Sequence, residues 1–179
     1  MDIRPMQPEE LERIAEVNRA ELVNAQYQAA ASPDGRGLVL QKVSQSPPVR
    51  ISPWGPTDVE QRIAAWRPAV AAGGVMIGAL SEGRLVGFAV LGPRQDDKTA
   101  ELLALFVDAA RRRRGIGSLL LEEVERRARQ QGAAAVFTAS NRTASAVDFY
   151  LKQGYHAISL KSDLAVCQRL TDPVFAKRL

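Results

Sequence analysis

The sequence of 179 residues predicts a mixed α/β fold of the α+β type. In its central part, segments typical of strands and of amphipathic helices follow one another as strand, strand, strand, helix, strand, helix, strand. The strand Thr99–Val107, the helix after it and the strand Ala134–Thr138 form a βαβ unit, which predicts one parallel strand pair. A hydrophobic share of 46% is enough to bury the core of a single domain over residues 1–179.

The first third of the chain has a weaker pattern. Ile3–Met6 is a strand candidate, and Pro8 with Glu9 opens a helix that we expect to run to Leu22. From Ala29 to Thr57 the periodicity is lost in a segment rich in Pro and Ser, and we interpret residues 25–57 as a variable acceptor-side loop or lid. We expect its apolar residues to be buried, namely Val39, Leu40, Val43 and Ile51.

The next elements are marked by local signals. Thr57 with Glu60 three residues later has the pattern of a capping box, and Pro68 interrupts or ends the helix that follows. Gly74–Gly92 predicts two strands joined at Ser81–Arg84, and the apolar run Thr99–Val107 predicts a third strand.

Four apolar residues spaced by four predict the long helix of the βαβ unit. Gly132 ends that helix, and a short helix at Ser145–Gln153 ends at Gly154. Tyr155–Leu160 and Val166–Leu170 are the last strand candidates. The residues of the apolar face of the long helix are Ile116, Leu120, Val124 and Ala128.

Charge and hydropathy bound the class of protein. Seven arginines and three glutamates between Arg111 and Gln131 account for the whole net charge of +4, so the positive charge is local. The N-terminal residues have no apolar signal-peptide region, and the longest uncharged run, 68–81, is shorter than the roughly 20 residues that cross a bilayer. The single cysteine, Cys167, cannot form an internal disulfide. We expect a cytoplasmic protein with no membrane partner.

The stretch Arg111–Ser118, RRRRGIGS, lies between a buried strand and an amphipathic helix. A helix N-terminus presents unbonded N–H groups and a positive dipole end, and Gly115 and Gly117 let the backbone close around an anion. The stretch Arg111–Ser118 lacks the Lys-Ser/Thr of a P-loop, and Leu120 stands where the dinucleotide-binding pattern G-x-G-x-x-G needs its third glycine. A phosphate-binding loop, a solvated basic turn and a nucleic-acid contact therefore stay open, although no aromatic residue is interleaved for base stacking.

A second motif is FYLKQGY at Phe149–Tyr155, which alone indicates core packing. Arg112–Gly117 fits the pattern Q/R-x-x-G-x-G/A, and Phe149–Tyr155 fits the pattern F-Y-x-x-x-G-F/Y. The two motifs in this order resemble the GNAT superfamily of acetyl-CoA-dependent N-acetyltransferases, in which the second pattern is the later element. The resemblance covers roughly residues 2–160. It implies a central, mostly antiparallel sheet with a splayed parallel strand pair, flanked by helices, and a CoA-binding core at 99–160.

The resemblance also implies a set of cofactor-binding residues. Acetyl-CoA is the cosubstrate and no metal is implied. Phe106 and Val107 would offer backbone groups to the pantetheine arm. Many members carry Asn seven residues before the tyrosine of the later element, where this chain has Thr143, so Asn141, Thr143 and Ser145 are weaker candidates. The pyrophosphate would be bound by Arg112, Arg113, Arg114, Gly115, Ile116, Gly117 and Ser118.

For catalysis, the resemblance assigns Tyr150 as the acid that protonates the departing thiolate. Glu101 lies fourteen residues before Gly115, the offset of the catalytic glutamate in the histone-acetylating branch, and partial burial would suit a base that works near neutral pH. Alternatively, Glu101 ends its strand in water. His156, the only histidine, or a water molecule are the other candidates for the base, and no metal site is indicated.

The predicted function is transfer of an acetyl group from acetyl-CoA to a primary amine of a small molecule. The alternatives are acetylation of a protein lysine or N-terminus, a non-catalytic CoA-binding regulatory module, and nucleic-acid binding through the arginines. A homodimer is left open. The predicted lining residues of the acceptor groove, not ranked against simple packing, are Tyr27, Arg50, Trp54, Arg62 and Trp66.

Overall fold

A computed structural model describes residues 1–33, 38–94, 98–158 and 172–179. The chain forms two compact units. The first comprises residues 1–21, 51–136 and 179, and the second comprises residues 22–50 and 137–178. Nine strands, three α-helices and two 3₁₀ helices occur in the described residues, which confirms the mixed α/β class.

The elements follow the predicted order in the central part of the chain. In chain order they are β1 (Asp2–Pro5), an N-terminal 3₁₀ helix (Pro8–Glu16), β2 (Glu21–Ala31), β3 (Leu38–Ile51), α1 (Pro56–Ala71), β4 (Val75–Ser81), β5 (Arg84–Arg94), β6 (Thr99–Val107), a short 3₁₀ turn (Ala109–Arg111), α2 (Ile116–Gln130), β7 (Ala135–Ala139), α3 (Ala144–Lys152), β8 (His156–Ile158) and β9 (Val174–Arg178).

The first unit contains the strand order β1-β4-β5-β6-β7, and β7 continues into the second unit. Neighbours from β1 to β6 are antiparallel, and the sheet also contains the predicted parallel pair. The β4–β5 hairpin turns at Glu82 and Gly83, which both have positive φ values of 54° and 75°. The predicted hairpin and the predicted strand Thr99–Val107 are therefore confirmed.

Helix α2 packs on β5 through the apolar face that the sequence predicts. Ile116, Leu120, Val124 and Ala128 are all buried. A Cβ atom on Gly87 would lie 3.2 Å from the side chains of Ile116 and Leu120. Glycine at this position of β5 therefore permits the close approach of the helix whose N-terminus follows the arginine run.

The N-terminal helix is shorter and tighter than predicted. It is a 3₁₀ helix that ends at Glu16, not at Leu22, and Glu21 already begins β2. Its buried residues Leu11 and Ile14, and the buried Val17 that follows, are spaced by three. A spacing of three matches the three residues per turn of a 3₁₀ helix, so the buried stripe stays on one side.

The prediction of an irregular lid over 25–57 is wrong, because β2 and β3 form a two-stranded sheet in the second unit. Pro47 and Pro48 lie within β3. In a two-stranded sheet each strand has an open edge, where the missing N–H of proline costs no ladder bond. Val39 is 49% exposed, against expectation, while Leu40, Val43 and Ile51 are half-buried.

Helix α1 begins at Pro56, and its N-cap is Gly55 rather than Thr57. The Asp58 carboxylate accepts a hydrogen bond of 3.0 Å from the N–H of Gly55, so the predicted Thr57–Glu60 box is wrong by two residues. Pro56 at the first helical position needs no N–H bond. Pro68 lies inside the helix, at an exposed position one turn before its end, and does not terminate it.

The second unit contains the strand order β7-β9-β8, with β8 and β9 antiparallel. The predicted helix is α3, and Gly154 with a φ of 81° follows its end, as expected. Strand β9 was not predicted. The predicted strand Val166–Leu170, together with Cys167, lies outside the described residues, as does part of the turn after Ala31.

Candidate active site

The end of β6 is fixed by Asp108, a residue that sequence reasoning missed. Its N–H bonds the carbonyl of Val86 at 3.0 Å, and its buried carboxylate accepts the N–H groups of Asn18 and Ala110, each at 3.0 Å. Arg84 lies 3.5 Å from the same carboxylate. An Asp directly after a buried strand, followed by two alanines, was the signal for this cap.

The hydrogen-bonding pattern separates the two predicted backbone positions on β6. In an antiparallel pair, hydrogen-bonded and non-hydrogen-bonded residue pairs alternate along the strands. Because Asp108 and Val86 form a hydrogen-bonded pair, Phe106 and Phe88 form the next one, and Val107, which lies opposite Gly87 between them, is not hydrogen-bonded to β5. The peptide groups of Val107 therefore point away from β5. Those of Phe106 belong to the ladder with β5.

The loop after β6 has the geometry of an anion site. Arg113 and Gly115 have positive φ values of 64° and 81°. The first N–H bond within α2 is that of Leu119 to the carbonyl of Gly115, at 3.1 Å. The N–H groups of the preceding turn, which starts at Ile116, thus have no acceptor in the helix. Nothing lies within 4 Å of the position that a Cβ on Gly115 would take.

The side chain of Arg112 is directed inwards. It donates to the carbonyl of Val107 at 3.2 Å, to the carbonyl of Arg19 at 2.9 Å and to the carboxylate of Glu21 at 3.3 Å. Arg113 and Arg114 are exposed. The first arginine of the motif therefore braces the loop, and the next two are left at its surface.

The arginines of α2 are paired along the helix itself. Arg126 and Arg127 both bond Glu123 at 2.6 Å, and Arg129 lies 3.8 Å from Glu125. The hydrogen bond from Arg126 is the main reason that the pKa of Glu123 is lowered. The two glutamates of these pairs offset two of the three positive charges on which the nucleic-acid interpretation of this helix depends.

Glu101 is 9% exposed, within the apolar part of β6. The alternative that it ends a strand in water is therefore wrong.

A cavity of about 700 Å³ lies between the N-terminal 3₁₀ helix and α1, within the first unit. Trp54 lines it, and its place in an acceptor groove stays a prediction. Trp66 is buried in the core and meets Phe88 edge-on at 5.8 Å, so packing accounts for it. Arg62 lies over the Trp66 ring at 6.0 Å. The lining residues are Glu12, Ala15, Trp54, Gly55, Pro56, Val59, Glu60, Ile63, Ala64 and Arg67.

In the second unit, Tyr150 is 7% exposed on α3 and stacks on Phe175 at 5.8 Å. Burial raises the pKa of Tyr150 to about 12, against a smaller lowering by its hydrogen bond with Thr138. The phenol is therefore protonated throughout the physiological pH range.

The three weaker cofactor candidates form one hydrogen-bonded group at the start of α3. The hydroxyl of Thr143 donates to the Asn141 side chain at 2.7 Å, accepts from the N–H of Ala146 at 3.4 Å, and lies 3.1 Å from the hydroxyl of Ser145. Thr143 is buried and is the N-cap of α3. The geometry thus gives Thr143 a capping function, and its proposed contact with CoA stays a prediction.

The other polar candidates of the second unit lie at its surface. Asp148 on α3 accepts from the hydroxyl of Tyr27 and from the ammonium of Lys42, both at 2.7 Å. These hydrogen bonds, with that of Lys42 the larger, lower the pKa of Asp148. Through its hydrogen bond to Asp148, Tyr27 connects β2 to α3. Arg50 and His156 are exposed.

The described ranges contain neither a metal cluster nor a membrane span. Among those residues, no group of three His, Cys, Asp or Glu side chains is placed to hold a metal ion. Likewise, no helix of the described part of the chain is both long and apolar enough to cross a membrane.

Comparisons with known proteins give the family and the fold. The model of the acetyltransferase (GNAT) family matches residues 40–155. An amino-acid acetyltransferase of Pseudomonas putida (strain KT2440) is 41% identical over 63 residues, which are 35% of this chain and 15% of that protein. The chain thus matches about 15% of the length of this curated relative.

Two solved structures resemble the whole chain. A nourseothricin acetyltransferase has 20% identity and a TM-score of 0.74, with 99% of this chain and 97% of that chain covered. A protein of Bacillus anthracis (strain Ames), crystallised in complex with acetyl coenzyme A, has 17% identity and a TM-score of 0.75, with 99% of both chains covered. At these identities the likeness shows the fold.

Proposed function

This chain belongs to the acetyltransferase (GNAT) family, and we propose that it transfers the acetyl group of acetyl-CoA directly to a primary amine of a small molecule. The observation that carries the proposal is the loop between β6 and α2. It joins a buried strand to a helix N-terminus and has two left-handed residues, Arg113 and Gly115. Such a turn accommodates phosphate groups, including a pyrophosphate.

In this proposal the loop binds the pyrophosphate mainly through backbone N–H groups. The positive end of the α2 dipole and the N–H groups of its first turn act together, and the effect is typically about 0.3–1 kcal/mol per charge at an exposed helix end. Arg113 and Arg114 add long-range attraction for a polyanion. Arg112 supports the loop from behind, since its side chain already has three acceptors.

We assign the N–H of Val107 to the pantetheine arm of the cofactor. It points away from β5, so it is a backbone donor at the end of β6 that a pantetheine amide would use.

The proposed chemistry is direct transfer. The amine nitrogen attacks the thioester carbon, the C–N bond forms, and the C–S bond breaks as the tetrahedral intermediate collapses. The base takes one proton from the amine, and Tyr150 donates its hydrogen to the sulfur. The proton held by the base then returns to the Tyr150 oxygen through solvent, which closes the cycle. The pKa of a thiol is about 8.5, well below the pKa of about 12 of Tyr150. Tyr150 therefore acts by hydrogen-bonding the sulfur as negative charge develops on it, and proton transfer accompanies the breaking of the C–S bond rather than preceding it.

We propose Glu101 as the general base, directly or through a water molecule. Its buried place on β6 and its offset of fourteen residues from Gly115 support the assignment. His156 is a weaker candidate, since it is exposed at the start of β8.

The first experiment is acetyl-CoA binding by calorimetry, followed by a thiol-release assay on a panel of small amines and peptides. Gly117→Arg should weaken acetyl-CoA binding at least tenfold, because a long side chain enters the first turn of α2. Gln130→Arg is the matched control, since it adds the same charge at the exposed far end of that helix. Equal affinities of the two variants would refute the loop assignment.

The assay also separates the alternatives. Turnover on small amines supports the proposal, whereas turnover only on peptides favours a protein acetyltransferase. Tight CoA binding without turnover on any amine would favour a regulatory module.

A further inference from the structure

Arg19 contacts two parts of the first unit, the side chain of Arg112 in the loop after β6 and the segment that starts α1. We infer that Arg19 is a positioning residue that couples the loop after β6 to the wall of the cavity between the N-terminal 3₁₀ helix and α1. Acetyl-CoA binding would thereby set the position of Trp54. The inference rests on the proposed function, since it takes the loop as the CoA site.

The first half of the connection runs from the loop to the backbone of residue 19. The guanidinium of Arg112 donates to the carbonyl of Arg19 at 2.9 Å, and a second nitrogen bonds Glu21 at 3.3 Å. The same guanidinium holds the carbonyl of Val107 at 3.2 Å. A shift of the loop therefore acts on the segment between the N-terminal helix and β2 through one rigid, forked group.

The second half runs from the side chain of Arg19 to the segment that starts α1. Its guanidinium donates to the carbonyl of Ser52 at 3.2 Å and to the carboxylate of Asp58 at 3.0 Å. It also lies over the ring of Trp54, 4.1 Å from the centroid. The side chain is 20% exposed, and it thus makes three kinds of contact at once, unlike an ordinary surface ion pair.

Trp54 is held from two directions. Arg19 covers its ring, and Phe106 of β6 meets it edge-on, with centroids 5.0 Å apart. Trp54 and Gly55 are also part of the cavity wall, and Asp58, the partner of Arg19, caps the N–H of Gly55. The cavity wall and the cofactor end of β6 are therefore linked through a single indole.

This linkage has a thermodynamic consequence. If cofactor binding at the loop moves Trp54, then a ligand in the cavity must change cofactor affinity by the same factor. Such coupling makes the binding of CoA and of a ligand in this cavity interdependent, and Arg19 is the residue that transmits it.

The test uses the fluorescence of Trp54 with CoA as the probe. The chain has two tryptophans, so Trp66→Phe leaves Trp54 as the single indole. We expect CoA to change the emission of this variant in a saturable way. Adding Arg19→Ala should reduce that change at least fivefold while the Kd for CoA, measured by calorimetry, stays within threefold, because the carbonyl of residue 19 remains. Arg19→Lys should restore part of the change.

Arg13→Ala in the Trp66→Phe background is the matched control. Arg13 also forms ion pairs from the N-terminal segment, with Glu10 and Glu16, but these contacts do not involve Trp54. This variant should keep the full response. Circular dichroism checks folding, and if Trp66→Phe does not fold, the difference in CoA response between wild type and Trp54→Phe gives the same signal.

The outcomes are distinct. A CoA response that survives Arg19→Ala, or CoA binding without any change in Trp54 emission, would overturn the inference and leave the proposed function intact. Failure of the wild-type protein to bind CoA would overturn both.

Discussion

The buried hydroxyl of Tyr150 should make the protein lose stability at alkaline pH, and Tyr150→Phe should remove that loss. The pKa of Tyr150 is raised to about 12 in the folded protein, from an ordinary value of about 10. The folded state therefore binds the proton more tightly than the unfolded state. The contribution of Tyr150 to the free energy of unfolding is fully present below about pH 10 and is lost as the pH rises through about 12. Two pKa units correspond to about 2.7 kcal/mol of the free energy of unfolding.

Urea denaturation of wild type and Tyr150→Phe between pH 7 and pH 11.5 measures this term. At neutral pH the variant should be less stable by about 1 kcal/mol, because it loses the hydrogen bond to Thr138. Above pH 10 the wild-type curve should fall towards that of the variant and cross it. Other tyrosines, such as Tyr27, contribute equally to both proteins and cancel in the difference. Parallel curves would refute the argument that burial raises the pKa of this phenol.

Three further predictions concern single side chains. Asp108→Asn should weaken CoA binding about tenfold, as measured by calorimetry. The two carboxylate oxygens of Asp108 now accept two N–H groups, whereas the amide of asparagine offers a single acceptor oxygen. Unchanged affinity would show that the loop does not depend on this cap. Glu101→Gln should lower kcat at least a hundredfold with little effect on the Kd for CoA, and a kcat within threefold of wild type would exclude it as the base. Thr143→Ala should lower the free energy of unfolding by about 1 kcal/mol, measured by urea denaturation, because it removes the cap of α3. Thr143→Ser should lower it less. Equal losses in the two variants would contradict the capping function.

The core and the loop after β6 could be predicted because their signals are local. Apolar residues from Ile116 to Ala128 recur with the helical period, and Gly115 takes the left-handed conformation for which glycine is suited. In both cases a short segment carries the whole of the information. Glu101 differs, because its place in an apolar strand left burial and a solvated strand end both open, and the structure shows it buried.

The errors arose where tertiary context decides. Pro47 and Pro48 indicate a loop in isolation, yet they fit a strand with an open edge. Arg112 bonds the carbonyl of Arg19 and the carboxylate of Glu21, more than ninety residues earlier in the chain, and no local pattern predicts such a pair. Asp108 was missed for a similar reason, since two of its three anchoring partners, Asn18 and Val86, come from other elements.

The ion pairs along α2 change what the basic composition of this chain means in practice. Arg126, Arg127 and Arg129 are paired with glutamates and Arg112 is turned inwards. Among the described residues, Arg113 and Arg114 at the loop are therefore the exposed arginines of the cluster for which the structure shows no carboxylate partner. Polyanions such as heparin or nucleic acid should then be retained by the loop on which CoA depends. Elution of the protein from a heparin column by low concentrations of CoA would reveal this competition, and a gel-shift signal with DNA would report an empty cofactor loop rather than a second function.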